Sequence, residues 1–259
     1  MSNRWNVTLI LSLAYFVTGY LGLQFPVFGT NITLVWLPAG ISVGFLMRFG
    51  YGCWPGVAIG ALAVNLVNGL SIPLALGIAS GNTFGPILAT YLLRRTGFHA
   101  TFEQHRDILL LCLSATVGML VTASVGVTSL AWTDQIQAGF LQAWLTWWGR
   151  DAIGVIAATP LVLVITLERL RIIWRRGFEF SIWISLLVVA IIFVFILNGD
   201  WVSSLFALSI LPFPLVVWGA MRFGAIGTST SVILWAFGID AMGNVSSVVN
   251  CSSLSPRNL

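Results

Sequence analysis

Long apolar runs punctuated by arginines are the feature that most constrains how this chain folds. Of 259 residues, 58% are hydrophobic and 8% are charged, whereas soluble domains have roughly 45–50% apolar and about 25% charged residues. The 12 basic and 8 acidic side chains are too few for the polar surface of a water-soluble fold of this length. We therefore expect an integral membrane protein.

The apolar runs predict an all-α, polytopic transmembrane helix bundle. A spanning helix needs about 20 mostly apolar residues, within a range of about 17–25. About nine segments, with eight to ten as the range, satisfy this criterion: 7–25, 32–48, 53–70, 73–93, 107–131, 140–167, 181–198, 201–221 and 223–242. The first run has no typical cleavage site and is interpreted as an uncleaved helix.

Arginine placement predicts the orientation of the bundle. All 12 basic residues are arginine, and those between segments fall on one side of the membrane: Arg4, Arg48, Arg94, Arg95, Arg106, Arg169, Arg171, Arg175, Arg176 and Arg222. Cytoplasmic loops carry the excess of basic residues, so we expect a multi-pass protein with a cytoplasmic N-terminus.

The C-terminal end fits this topology less well. Nine crossings place the tail outside, so either the ninth run does not cross or a later helix is absent. We expect one membrane domain over residues 1–245 and a polar tail over 246–259, either disordered or a truncation end. The sequence Met47-Arg48-Phe49-Gly50 recurs at 221–224, which indicates either a duplicated two-helix unit or two chance turns.

Ionisable side chains inside the predicted spans are candidate site residues, because they cost about 2.5–3.5 kcal/mol on insertion scales. Arg150 and Asp151 lie in the sixth span, and Arg150 falls about 15 Å from its outer end. Neighbours on a helix point about 100° apart, so each would need another partner. The alternative is a surface helix over 140–148, with the crossing starting near Arg150. Asp240 could simply end the ninth segment.

Amides inside apolar stretches are weaker candidates, because interhelical hydrogen bonding is their usual role. Gln24, Asn65 and Asn82 are of this kind, and Asn82 follows a glycine that permits close helix approach. Cofactors, metals and nucleic acid are not expected. Both histidines, His99 and His105, lie in a loop, and the three cysteines lack metal or redox spacing.

An ordered set of short motifs resembles a known family. The motifs are Leu34 to Ile41, Trp54-Pro55-Gly56, Ala61 to Asn65, Gly81-Asn82-Thr83, Trp147 to Gly154, Thr159-Pro160 and Pro214 to Gly224. Together they resemble the bacterial integral membrane sensor domain, the first of the membrane-associated sensor families, found at the N-termini of histidine kinases and diguanylate cyclases. The resemblance covers nearly the whole chain through about residue 240.

The resemblance implies a non-enzymatic input module of bacterial signal transduction, located in the bacterial inner (cytoplasmic) membrane. Such a module senses an unidentified ligand or membrane signal and relays it to a cytoplasmic kinase of a two-component system or to an enzyme of cyclic di-GMP signalling. No output-domain signature occurs in this sequence. The family pattern has glycine where Arg150 stands, while Asp151 matches it. The expected ligand-facing residues are Asp151, Arg150, Trp36, Asn65, Asn82, Trp147 and Trp148.

Two points are left open by the sequence. The expected partners are the bilayer, an unknown small-molecule or protein stimulus, a cytoplasmic output protein and, as an open alternative, a second copy of the chain. The competing functional class is a small-molecule transporter or substrate-binding membrane subunit, which the repeat and the proline-broken helices favour. Accumulation of labelled metabolites in proteoliposomes separates transport from sensing.

Overall fold

The computed structural model describes residues 4–24, 35–102, 104–136, 139–166, 171, 173–196, 212–235 and 238. Within these ranges the chain is helical and contains no β-strand. The helices are α1 (Arg4–Leu23), α2 (Leu37–Phe49), α3 (Trp54–Val67), α4 (Ile72–Arg95), α5 (His105–Trp132), α6 (Phe140–Val164), α7 (Gly177–Ile196), α8 (Phe213–Phe223) and α9 (Ala225–Trp235).

The expected all-α membrane bundle is confirmed. Among the described residues, α1, α4, α5 and α6 are long and apolar enough to cross a membrane. The shorter apolar helices are α2, α3, α8 and α9, together with the Gly177–Phe193 part of α7. Residues 201–211 of the eighth predicted span, Asp240 and the tail 246–259 lie outside the described residues. The ninth predicted span, 223–242, corresponds in its described part to α9, which Gly224 separates from α8 close to the predicted boundary.

Prolines mark the start of four helices. Pro38, Pro55, Pro73 and Pro214 each occupy the first turn of α2, α3, α4 and α8. A first-turn residue has no intrahelical partner for its N–H, so proline is tolerated there. These positions explain why consecutive apolar runs fold as separate helices with short connections.

The described core is built around α2. This helix packs against α1, α4 and α6, while α4 and α5 form the most extensive helix pair. Small residues permit the close approach: a Cβ at Gly118 would clash with Ala89, and one at Gly85 would clash with Thr122. Tight backbone approach through glycine is typical of helix pairs in membranes, where dispersion forces and hydrogen bonds drive packing.

The two Arg-Phe-Gly sequences adopt the same kind of turn. The N–H of Gly50 donates to the Leu46 carbonyl at 3.0 Å, and that of Gly224 donates to the Ala220 carbonyl at 2.9 Å. Both glycines have positive φ, 88° and 60°, a conformation that costs other residues more. A helical segment follows each glycine directly, so both sequences fold as tight helix-ending turns.

Arginine side chains cap the C-terminal ends of α2 and α6. Arg48 donates to the Val162 carbonyl at 3.0 Å, beyond which α6 ends, and Arg94 donates to the Leu46 carbonyl of α2 at 2.9 Å. The last carbonyls of a helix lack intrahelical donors and carry partial negative charge. The arginines therefore link α4 to α2 and α2 to α6.

Candidate functional site

The candidate site lies where α2 begins. The helix has 13 residues and is about 20 Å long, shorter than the roughly 30 Å hydrocarbon core. With Arg48 at the last turn, Trp36 at the other end falls at membrane depth. Non-helical backbone is tolerated there only when it is buried in protein, and the Trp36 N–H accordingly donates to the Arg150 carbonyl at 3.1 Å.

Glycines bring α2 and α6 into backbone contact at this point. A Cβ at Gly154 would clash with the Trp36 carbonyl, and a Cβ at Gly40 would clash with the Gly154 carbonyl. One turn further along, the Thr159 hydroxyl donates to the Gly40 carbonyl at 3.0 Å. These contacts fix the start of α2 against the middle of α6 and so position Trp36 beside Arg150.

Arg150 is buried between two indole rings. Its guanidinium carbon lies 4.8 Å from the centre of the Trp36 ring and 4.3 Å from the centre of the Trp147 ring. Cation–π contacts are worth about 2 kcal/mol or more when they are desolvated. They offset part of the cost of a cation that is 6% exposed.

Asp151 supplies the opposite charge. Its Oδ1 lies 3.3 Å from Arg150 Nε, so the two neighbours do form an ion pair, contrary to the expectation from their positions on the helix. Thr122 and Trp147 also lie beside the carboxylate. Although Asp151 is fully buried, neither of its carboxylate oxygens receives a hydrogen bond of standard geometry from a described residue.

Tyr15 connects this pair to two further helices. Its hydroxyl accepts hydrogen bonds from Trp36 Nε1 at 3.4 Å and from Asn82 Nδ2 at 3.0 Å. The rings of Tyr15 and Trp36 also meet edge to face at 6.4 Å between centres. Residues from α1, α4, α5 and α6 and from the start of α2 thus converge on one group, which we call the polar cluster: Tyr15, Trp36, Asn82, Thr122, Trp147, Arg150 and Asp151.

Five of the seven predicted site residues lie in the polar cluster. Asn65 and Trp148 do not join it through their polar atoms. The Asn65 amide donates to the Ala61 carbonyl of its own helix at 2.7 Å, and the Trp148 indole donates to the Thr116 carbonyl of α5 at 2.9 Å. Their hydrogen bonds are those of helix packing, and a ligand-binding role for them stays a prediction.

Tyr15 and Thr122 were not predicted. Tyr15 lies in an apolar first helix and Thr122 in a run of small residues, where both residue types are ordinary. Only long-range packing reveals them. A weak sequence signal existed for Tyr15, because a tyrosine in the middle of a spanning segment has a hydroxyl that needs a buried partner.

The structure distinguishes between the two alternatives for residues 140–148, a separate surface helix and the first part of a spanning helix. These residues belong to one continuous helix that runs from Phe140 to Val164. Ala143 and Trp147 face the protein interior, and a Cβ at Gly126 would clash with the Trp147 ring. Arg150 is consequently inside the bundle rather than at the start of a crossing.

The polar cluster combines charged, hydrogen-bonding and aromatic groups. It offers one carboxylate, one guanidinium, an amide, two hydroxyls and two indoles, which together can hold a small polar group at membrane depth. Among the described residues, no group of three His, Cys, Asp or Glu side chains could hold a metal ion.

Comparison with known proteins identifies the class. The model of the MASE1 family, a family of membrane-associated sensor domains, matches residues 5–239. The probable diguanylate cyclase DgcE of Escherichia coli (strain K12) is 26% identical over 223 residues, which are 82% of this chain and 19% of that relative. No solved structure matches the chain.

The chain belongs to the MASE1 family. It is a multi-pass membrane sensor domain of the kind that serves as a signal-input module. The chain spans about a fifth of the length of the cyclase that it resembles.

Proposed function

We propose that this sensor domain receives its stimulus at the polar cluster and relays it to a cytoplasmic output protein of cyclic di-GMP signalling. The single observation that carries the proposal is the buried Asp151, whose carboxylate lies beside Arg150 but receives no hydrogen bond of standard geometry from a described residue. Buried polar groups are normally hydrogen-bonded, and an exception requires an explanation. A ligand at the carboxylate is the explanation that fits a sensor.

The cluster is well placed to change helix packing. Trp36, Asn82 and Arg150 belong to the beginning of α2 and to α4 and α6, and these three helices are tied together at their other ends. Arg94 of α4 binds the end of α2, and Arg48 of α2 binds the end of α6. A stimulus that favours one arrangement of the cluster therefore shifts the arrangement of the arginine-bearing ends.

The mechanism is a population shift between two helix packings. A ligand shifts such an equilibrium only by its difference in affinity for the two states. Polar groups that lack partners in one state and gain them in the other supply this difference. The arginine-bearing ends lie in the cytoplasm by the positive-inside rule, in the bacterial inner membrane, where an output domain or a second copy of the chain can respond.

A chimera tests the proposal. The segment of the E. coli relative that matches this chain is replaced by residues 1–239, and cellular cyclic di-GMP is measured. Trp36→Leu removes a ring that contacts Arg150, and we expect it to change cyclic di-GMP by about fivefold or more, within the usual range of coupling energies. Trp132→Leu is the matched control, because Trp132 is 88% exposed. Equal cyclic di-GMP levels in the two variants would contradict the proposal.

A further inference from the structure

The polar cluster contains a cation that the chain itself provides. The Arg150 guanidinium is stacked between Trp36 and Trp147, and its Nε lies 3.3 Å from the Asp151 carboxylate. Aromatic faces around a cation are the arrangement by which proteins bind ammonium groups. A neighbouring carboxylate adds the counter-charge. The geometry is that of a cation receptor whose occupant is a side chain of the same helix.

The buried polar atoms of the cluster that lack a hydrogen bond favour a ligand that donates hydrogen bonds. Three acceptors lack a hydrogen bond of standard geometry from a described residue: both carboxylate oxygens of Asp151 and Oδ1 of Asn82. Two donors are in the same condition, Arg150 Nε and Trp147 Nε1. Because all five atoms are buried and acceptors outnumber donors, a small cation with several N–H groups would satisfy more of them than an anion.

We propose that Trp36, Trp147 and Asp151 form a receptor for an organic cation of the guanidinium or ammonium class, and that Arg150 occupies it as an intramolecular ligand. This inference rests on the proposed function, because it names the ligand class of the same cluster. An external cation binds by displacing the Arg150 guanidinium from the indoles and from Asp151. Displacement moves the α6 side chain away from the start of α2, which is the change that the relay requires.

Removal of Arg150 provides the test, because it empties the receptor. The full chain carrying Arg150→Ala is purified in lipid nanodiscs, and binding is measured by calorimetry with ethylguanidinium and with ethylurea. The two probes share a planar shape, but only the first is charged. We expect ethylguanidinium to bind at least about tenfold more tightly than ethylurea, as a desolvated cation–π contact implies, and to raise the melting temperature by several degrees.

Two further variants make the test specific. Trp147→Leu in the Arg150→Ala background removes one wall of the receptor and should abolish the preference for the charged probe. Arg95→Ala is the control for loss of an arginine, since Arg95 is exposed at the end of α4 and contacts Tyr91. That variant should bind ethylguanidinium no better than the parent chain does.

The possible results distinguish failure of the receptor from failure of its signalling role. Equal binding of the two probes by Arg150→Ala, or no binding of either by the folded variant, would overturn the proposal. If the variant does not fold alone, ethylguanidinium added during extraction should restore the yield of folded protein while ethylurea should not, and equal yields would also overturn it. Selective binding together with an unchanged output of the cluster variants in the chimera would retain the receptor and remove its signalling role.

Discussion

The side-chain amide of Asn82 donates a 3.0 Å hydrogen bond to the hydroxyl of Tyr15, across 67 residues of sequence. The bond joins α4 to α1 inside the bundle, and the same hydroxyl accepts from the Trp36 indole at 3.4 Å. One oxygen therefore holds two buried donors from two other parts of the chain.

Tyr15→Phe should destabilise the domain, because both donors lose their acceptor while the ring packing is kept. Hydrogen bonds between membrane helices average about 0.6 kcal/mol and reach about 1.7 kcal/mol, so we expect a loss of about 1–2 kcal/mol. Thermal unfolding of the purified protein in nanodiscs measures it. Tyr91→Phe is the control, because its hydroxyl accepts a hydrogen bond from the exposed Arg95. A loss of equal size in the control would contradict this role of Tyr15.

Gly154→Ala should prevent the close approach of α2 and α6. The added methyl group would clash with the Trp36 carbonyl, and overpacking of a tight contact costs about 1–3 kcal/mol or more. Gly149→Ala in the same helix is the control, because a Cβ there meets nothing within 4 Å. We expect a lower yield and melting temperature for Gly154→Ala, and no loss for Gly149→Ala. Equivalent behaviour of the two variants would show that this contact does not fix the start of α2.

Some residues of the polar cluster could be predicted from the sequence, and others could not. Arg150, Asp151 and Asn82 could be predicted, because a polar side chain within an apolar run is visible in the sequence itself. Their partners could not be predicted, since the sequence does not say which helices touch. Arg150 contacts Asp151 while its guanidinium lies between the rings of Trp36 and Trp147, and Trp36 comes from another part of the chain. Tyr15 and Thr122 needed the structure for the same reason.

The number of long apolar runs was a good guide to the fold, and segment boundaries were a weaker one. The start of α2 shows why. Hydropathy places residues 32–48 in one span, yet the described helix begins at Leu37, after the Trp36 backbone N–H has turned to the Arg150 carbonyl. That hydrogen bond is a long-range contact, so no local pattern predicts it.

Glu179 and Arg222 form an ion pair at the ends of α7 and α8, outside the predicted spans 181–198 and 201–221, with Arg222 Nη2 donating to Glu179 Oε2 at 2.9 Å. This hydrogen bond holds the pKa of Glu179 below its usual value, which is about 4.3. A carboxyl with a lowered pKa stabilises the folded contact above its unfolded pKa and loses that effect as the pH falls through its folded pKa.

The two helix ends should therefore separate in acid, as the pH falls through the lowered pKa of Glu179. Spin labels at the exposed positions Phe178 and Met221, in a background without native cysteines, measure their distance by electron paramagnetic resonance. We expect a distance distribution that is narrow at pH 6 and broad in acid. Glu179→Gln should already be broad at pH 6, and a parent-like narrow distribution for this variant would rule out the ion pair as the cause.

The orientation proposed from the arginines is tested by labelling. Thr101 lies in the connection between α4 and α5, and Thr133 lies in the connection between α5 and α6; both are exposed. In a background without native cysteines, an impermeant maleimide should label Thr133→Cys in intact cells and should label Thr101→Cys only after the membrane is opened. The reverse pattern would place the N-terminus outside.

The central claim is that the polar cluster sets the signalling state of the domain, and Asp151→Asn in the chimera with the E. coli cyclase tests it most directly. The substitution keeps the shape of the side chain and removes the charge that faces Arg150. Asp134→Asn, at an exposed turn, is the control for the same chemical change. With equal amounts of each chimera in the membrane, the account predicts that cyclic di-GMP changes by about fivefold or more in Asp151→Asn and is unchanged in Asp134→Asn. Parent-level cyclic di-GMP in both variants would contradict it.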